Sequence, residues 1–131
     1  MKSYIIRIEL EDSNPLIWRR VIMPEGATYK RLHDVIQNVT NFQSGYPFDW
    51  YHLYEFDLKE ENMIVTNDEE AYIEHQDYVK NKEYYEERLK NTSSDMLGFE
   101  QYYQERLKLE VRKPTKLKID EYLEKYKEIR Y

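Results

Sequence analysis

The pattern of hydrophobic and polar residues predicts a β-hairpin near the start of the chain. Apolar and polar residues alternate over residues 4–10 and again over residues 16–23. Alternation of this kind is typical of strands that bury one face. Residues 12–15, Asp-Ser-Asn-Pro, predict a turn, because small polar residues precede a proline there. The two strands therefore predict an antiparallel hairpin.

A helix and two further strands are predicted after the hairpin. Thr28 is a suitable N-cap for a helix over about residues 29–39. The apolar residues at helical spacing in it are Leu32, Val35, Ile36 and Val39. Alternation predicts strands over residues 50–58 and 63–66. Residues 1–66 thus predict an α+β fold, a β-grasp-like β-β-α-β-β core in which the helix packs on the sheet.

Residues 67–113 predict a charged, tyrosine-rich helical insertion. Asp68 is a candidate helix cap at its acidic start, and residues 91–95, Asn-Thr-Ser-Ser-Asp, predict a break. Residues 84–90 (YYEERLK) and 102–108 (YYQERLK) are similar in sequence. This similarity predicts a pair of related amphipathic helices that form an antiparallel hairpin. The later half of the chain is therefore expected to be largely helical and acidic.

Residues 114–131 predict a short helix and a final strand that returns to the core. Asp120 is the candidate cap of this helix, and Ile-Arg-Tyr ends the chain at residue 131. The length of 131 residues suits one domain with a real core. We therefore expect the three segments to form one domain in all.

Composition narrows the classes of function. The chain has no cysteine, which excludes disulfides, thiolate zinc sites and cysteine nucleophiles. No stretch approaches the roughly 20 apolar residues of a membrane span, and the first residues do not form a signal peptide. We expect a cytoplasmic protein with no membrane partner and no cofactor.

Charge and aromatic content bear on the expected partners. The net charge of −6 argues weakly against general nucleic-acid binding, although it does not exclude a local basic patch. The 14 tyrosines suit contact surfaces as well as a modest core. A protein partner, or self-association through the tyrosine-rich helices, is therefore the predicted kind of interaction.

The first candidate binding residues are Trp18, Arg19 and Arg20 in the second predicted strand. Successive strand residues point to opposite faces, so both guanidinium groups cannot face solvent on a one-sided sheet. One of them must lie near the apolar side, at an edge or against an aromatic ring. Structural ion pairing is favoured over contact with a phosphate or carboxylate ligand, and for Trp18 core filling is favoured over base stacking. The acidic residues considered as partners are Glu9, Glu11 and Glu55.

The second candidates are His33, His52 and Glu55. The two histidines could converge into an acid–base pair or an oxygen/nitrogen metal site. Structural histidines are favoured, because no tight spacing motif links them, and His75 is expected to face solvent. The chain has no glycine-rich phosphate loop, no G-x-S-x-G and no H-E-x-x-H. The nearby acids for such a site are Asp34, Asp49 and Glu55.

Three motifs in order carry a family resemblance. These are PLIWRRV at residues 15–21, LHDVIQ at 32–37 and HLYEF at 52–56. Together they resemble the plasmid pRiA ORF-three-like family, whose members are described as insertion-element passenger proteins, over residues 4–66. The resemblance implies an α+β fold and no established activity. The family's later block, Tyr-Asp-Phe-Gly-Asp-x-Trp, is not reached by residue 131, which predicts an N-terminal fragment.

The sequence thus predicts a binding or interaction domain of a mobile-element-associated family, without catalytic activity. The alternative is an enzyme or metal-dependent factor whose site is completed by a missing C-terminal segment. His33, His52 and Glu55 would then be this chain's contributors. A truncated remnant with no function of its own is the third hypothesis. The candidate binding residues are Trp18, Arg19, Arg20, His33, His52 and Glu55.

Overall fold

The predicted α+β class is confirmed by the order of helices and strands. A computed structural model describes residues 2–40 and 53–131. Within these residues it shows five α-helices and two small sheets. The elements are β1 (Ser3–Glu9), β2 (Trp18–Pro24), α1 (Tyr29–Thr40), β3 (Glu55–Leu58), β4 (Met63–Thr66), α2 (Glu69–Lys80), α3 (Lys82–Lys90), α4 (Leu97–Lys108), β5 (Glu110–Arg112) and α5 (Asp120–Tyr126).

The predicted N-terminal hairpin is confirmed. Strands β1 and β2 pair antiparallel, and Leu10 N donates to Ile17 O at 2.9 Å just beyond the ladder. Ser13 closes the connection from both sides. Its Oγ donates to Leu10 O at 2.8 Å and accepts from Ile17 N at 2.9 Å. A small hydroxyl side chain thus satisfies backbone groups that a wide turn would otherwise leave open.

The hairpin belongs to the first of two compact units. Of the described residues, this unit contains 2–40 and 114–129. Thr28 Oγ1 accepts from Arg31 N at 3.2 Å, so the predicted cap of α1 is confirmed. The segment before α5 joins the turn before α1, where Ile119 N donates to Ala27 O at 2.9 Å. The buried apolar residues are Met23, Ala27, Tyr29, Leu32, Ile36, Ile119 and Tyr122.

The second unit contains residues 53–113 and 130–131. Strand β4 pairs antiparallel with β3 and parallel with β5, which gives the order β3-β4-β5. Asp57 N donates to Arg130 O at 2.8 Å, an isolated antiparallel bridge at the β3 edge. The buried apolar residues are Tyr54, Phe56, Leu58, Ile64, Val65, Tyr85, Leu107 and Val111.

The strands of the predicted ββαββ core belong to two separate sheets among the described residues. The β-grasp comparison implied one sheet, whereas β4 takes its partners from β3 and β5. The physical reason for this separate sheet is that the later helices cover its apolar residues. Val65 and Val111 are buried and α2 lies against β5, so the later helices protect this small sheet. Residues 50–52 of the predicted third strand lie outside the described residues, and the grouping into one domain stays a prediction.

Helices α2 and α3 replace the continuous pattern expected after Asp68. The predicted cap is confirmed, since Asp68 Oδ1 accepts from Glu70 N at 3.0 Å. The helical path is interrupted at Asn81, with φ −126° and ψ 42°. Its Nδ2 donates to Asp77 O at 3.1 Å and to Asp77 Oδ1 at 2.9 Å. Asparagine competes in this way with the backbone ladder, which explains the break.

Helices α3 and α4 run antiparallel, as the repeated segment predicted. Gln104 Nε2 donates to Tyr85 O at 2.9 Å, and Arg88 Nε lies 2.7 Å from Glu100 Oε1. The later residue of α3 therefore meets the earlier residue of α4. This pairing places Tyr85 and Gln104 in the interior of the second unit, where both are buried.

Candidate functional site

The strand register places eight side chains on one face of the hairpin. Directly opposite residues in an antiparallel pair project to the same face. The four pairs on this face are Ser3–Pro24, Ile5–Ile22, Arg7–Arg20 and Glu9–Trp18. We call this surface the outer face.

The other face of the hairpin is the one that turns inward. Met23 on this face is almost fully buried, and Ile6, Ile8 and Val21 are half-buried. Helix α1 lies against β2. On the outer face, by contrast, Ile5 is 72% exposed and Ile22 is 71% exposed. Two β-branched aliphatic side chains therefore form an exposed cross-strand pair.

The outer face carries an uneven arrangement of charge. Arg7 and Arg20 are direct cross-strand partners, and like charges in this position are destabilising. Arg7 Nε forms an ion pair with Glu9 Oε1 at 2.7 Å, and its guanidinium lies 4.4 Å from the Trp18 ring centroid. The Arg20 guanidinium lies 5.9 Å from the same centroid. Over residues 2–40 and 53–131, no acidic side chain pairs with Arg20.

Arg19 lies on the inner face, so the prediction that the two arginines diverge is confirmed. Its Nε donates to Val39 O at 3.0 Å in the last turn of α1, and its Nη1 donates to Trp18 O at 2.8 Å. A guanidinium bonded to carbonyls at a helix C-terminus stabilises the helix dipole. Arg19 therefore has a structural position, and within residues 2–40 and 53–131 its partners are backbone carbonyls rather than carboxylates.

The acids considered for the arginines have other partners. Glu9 pairs with Arg7, and Glu55 Oε1 accepts from Arg106 Nη2 at 2.7 Å. Glu55 belongs to the second unit, whereas Arg19 and Arg20 belong to the first. Glu9 is therefore the partner of Arg7 rather than of Arg19 or Arg20, and Glu55 has its partner within its own unit.

The convergence of His33 with His52 stays a prediction. His33 is buried in α1, and His52 lies outside the described residues. Across residues 2–40 and 53–131, no group of three or more histidines and acids is placed to hold a metal ion. Asp34 pairs with Lys30 at 2.6 Å. His33 and Glu55 belong to different units, so we assign no shared site to them.

The expectation that His75 faces solvent is wrong. The residue is half-buried, and its Nδ1 lies 2.6 Å from Leu107 O. A carbonyl oxygen only accepts, so Nδ1 carries the proton and donates. Helical periodicity alone did not show that α4 ends beside this face of α2.

A polar cluster joins β1 to α5 on the inner side of the hairpin. Tyr4 Oη lies 2.9 Å from Asp120 Oδ1 and 2.7 Å from Glu124 Oε1, so the two carboxylates share its single proton as acceptors. Lys2 also pairs with Glu124. Burial opposes ionisation of Asp120, but hydrogen bonds from Gly26 N–H and the Tyr4 hydroxyl hold its pKa below the usual value. Asp120 is the first residue of α5 rather than its cap, so that prediction is wrong.

Sequence reasoning selected Trp18 and Arg20 but not the other members of the outer face. Ile5, Arg7 and Ile22 were missed, although Ile5 and Arg7 alternate with the buried side of their strand. The signal that could have found them is the register of the hairpin. Pairing Arg7 with Arg20 brings all of them onto one surface.

The fold and this surface define a small α+β protein with a solvent-facing β-hairpin. Its sequence matches the family model for plasmid pRiA4b ORF-3-like proteins over residues 2–131. The chain therefore belongs to this family, and the match extends well beyond the motifs in residues 4–66. No curated protein and no solved structure matches the chain. None of the helices in the described ranges is long and apolar enough to cross a membrane.

Proposed function

We propose that the chain is a non-enzymatic binding domain that docks a protein partner on the outer face. The observation that carries the proposal is the exposed Ile5–Ile22 pair beside Trp18 and Arg20. Tryptophan and arginine are enriched at the centres of protein interfaces, where they supply much of the binding energy. An aliphatic pair next to them provides the apolar surface that such a centre buries.

The charge of the face indicates what the partner should offer. Arg7 and Arg20 face each other, and only Arg7 has an acidic neighbour within the described residues. This arrangement is unfavourable in the free chain. A carboxylate on the partner would relieve it by a bidentate pair with the Arg20 guanidinium. We therefore propose a partner surface with an acidic residue beside an apolar one.

A protein partner fits this face better than a nucleic acid does. Phosphate binding needs a basic excess, whereas the whole chain carries −6 and Glu9 offsets one of the two arginines. Ile5 and Ile22 are two of the eight residues on the face and have no favourable contact to make with a phosphate backbone. The same side chains are suited to an apolar contact on a protein.

The face is not suited to catalysis. Guanidinium groups stay protonated near neutral pH and do not act as general bases. Glu9, the one carboxylate on the face, is held in the ion pair with Arg7. We therefore expect binding without turnover.

The test is affinity capture with the full chain as bait, followed by reconstitution of the purified pair. Arg20→Glu and Ile22→Asp are the variants, and Lys80→Glu on α2 is the control with the same charge change as Arg20→Glu. We expect a captured protein whose Kd rises by at least about tenfold with each variant and is unchanged in the control.

Two results would contradict the proposal. One is a set of captured proteins that binds wild type and the Arg20→Glu variant equally. The other is binding of a labelled single-stranded oligonucleotide that weakens steeply with salt and is lost in Arg20→Glu, because phosphate contacts give this dependence.

A further inference from the structure

Helix α4 and the residue before it present a row of large apolar side chains to solvent. Met96 is 54% exposed, Phe99 73% and Tyr102 69%. They are spaced three residues apart, so they lie along one side of the helix. We call these three residues the α4 stripe. The other side of α4 buries Gln104 and Leu107 in the second unit.

The polarity of α4 is unusual for a surface helix. A helix of this kind normally turns its apolar residues to the core and its polar residues to water. Here the buried side contains Gln104, whose Nε2 donates to Tyr85 O. The rings of Phe99 and Tyr102 remain exposed. Exposed apolar patches of this kind mark contact surfaces.

The charges at the two ends of the stripe indicate its occupant. Asp95 lies just before the N-terminal end, and Arg106 lies near the C-terminal end. Arg106 Nη2 donates to Glu55, which leaves other N–H groups of the guanidinium available. Asp95 makes no ion pair with any residue in the described ranges. Asp95 at one end and the remaining N–H donors of Arg106 at the other are complementary between two copies that run in opposite directions.

We propose that a second copy of this chain binds the α4 stripe, with the two α4 helices antiparallel about a two-fold axis. The axis lies midway between Phe99 and Tyr102. Phe99 of each copy then packs on Tyr102 of the other, and Asp95 of each copy faces Arg106 of the other. This is the self-complementary contact that a two-fold dimer requires.

Gly98 is consistent with a close approach of the two helices. Glycine inside a helix costs about 1 kcal/mol relative to alanine. A side chain at position 98 would meet open space in the single chain, so nothing in one copy requires a glycine there. In the antiparallel dimer this position lies next to Phe99 of its own copy and opposite Tyr103 of the other, where the absence of a side chain lets the two helices approach.

The proposed contact between the two α4 helices is short, which limits the affinity of the dimer. A helix of 12 residues spans only about 18 Å, so the buried area falls below that of permanent dimers. We therefore expect a dimer that forms and dissociates with concentration in the micromolar range, about 1–100 μM.

Sedimentation equilibrium of the full chain between about 1 μM and 1 mM is the first test. We expect Phe99→Glu to weaken the dimer at least about tenfold. Ile73→Glu is the control, because Ile73 is 63% exposed on α2. Arg20→Glu should leave the dimer intact, which separates this proposal from the one for the outer face. A chain that stays monomeric, or a dimer that Phe99→Glu does not affect, would overturn the proposal.

A charge exchange tests the direction of the helices. Asp95→Arg places like charges together in its own dimer, and so does Arg106→Asp. A mixture of the two variants restores both pairs in the mixed dimer. We expect the mixed dimer to be at least about tenfold more stable than either variant's own dimer.

Arg106→Asp also removes the ion pair with Glu55, so the thermal unfolding of this variant is measured in parallel. If that variant is not folded, Arg106→Gln replaces it in the experiment. Because this substitution only removes the charge, we then expect a smaller preference for the mixed dimer. Equal dissociation constants for the mixed and unmixed dimers would overturn the antiparallel arrangement.

Discussion

The carboxylate of Asp120 accepts the backbone N–H of Gly26 with both oxygens, at 2.9 Å and 3.0 Å. Gly26 has φ +80° in the turn between β2 and α1, a conformation that L side chains rarely adopt. The same carboxylate accepts from Tyr4 Oη at 2.9 Å. One side chain at the start of α5 thus joins β1 and the turn after β2, which are distant in sequence.

Asp120→Ala should destabilise the chain by about 1–2 kcal/mol, because it leaves the Gly26 N–H without its acceptor, whereas the Tyr4 hydroxyl keeps Glu124. The measurement is the free energy of unfolding in urea. Glu121→Ala is the matched control, since Glu121 is the next residue and is exposed. Equal stability of the two variants would show that this carboxylate does not hold the turn.

The same carboxylates predict how stability changes in acid. Hydrogen bonds lower the pKa of Asp120 against the effect of burial, and hydrogen bonds from Lys2 and Tyr4 lower the pKa of Glu124. The folded chain therefore binds fewer protons than the unfolded chain near the ordinary values of about 4. The stability that these groups contribute is fully present above that pH. It is lost as pH falls through the lower folded values.

Urea unfolding measured between about pH 2.5 and pH 6 checks this expectation. Asp120→Asn should flatten the dependence, because asparagine cannot ionise. The prediction is wrong if wild type and variant lose stability in parallel as pH falls.

Local patterns were sufficient to predict most elements of the fold. The hairpin, α1 and the caps at Thr28 and Asp68 depend on alternation, helical spacing and neighbouring residues, all of which a short window contains. The role of Asp120 could not be predicted in this way, because its partner Gly26 lies far away in the chain. The choice of β5 as the partner of β4 is likewise non-local.

Tyr84 and Tyr85 are adjacent in sequence but differ in environment, which gives a matched pair of substitutions. Tyr85 is buried, and its Oη donates to Asp77 Oδ2 at 2.6 Å, whereas Tyr84 is exposed. This hydrogen bond and burial raise the pKa of Tyr85 to about 12. Tyr85→Phe should cost about 1–2 kcal/mol in urea unfolding, and Tyr84→Phe should cost almost nothing.

A spectrophotometric titration of the tyrosines provides a second measurement. Tyr85→Phe should remove a group that ionises near pH 12. Equal effects of the two substitutions on stability would show that the bond to Asp77 contributes little.

The candidate site could be predicted only in part. Trp18, Arg19 and Arg20 stand out in the sequence as an aromatic and two cations in an otherwise apolar strand. The remaining members of the outer face depend on the register, which the connection over residues 10–17 determines. Glu55 was grouped with these residues because of its type and charge, yet it belongs to the second unit and pairs with Arg106.

Replacing the adjacent residues Arg19 and Arg20 by alanine should have different effects on the free energy of unfolding. Arg19→Ala removes the donor to Val39 O at the end of α1, which should cost about 0.5–1 kcal/mol. Arg20→Ala removes one of two like charges that face each other, so the free energy of unfolding should stay within about 0.5 kcal/mol of wild type. Urea unfolding of both variants at low and high salt distinguishes these causes, since salt screens the repulsion between Arg7 and Arg20.

If Arg20→Ala destabilised the chain as strongly as Arg19→Ala, both arginines would be structural. Arg20 would then no longer be available as the contact that the proposed partner uses.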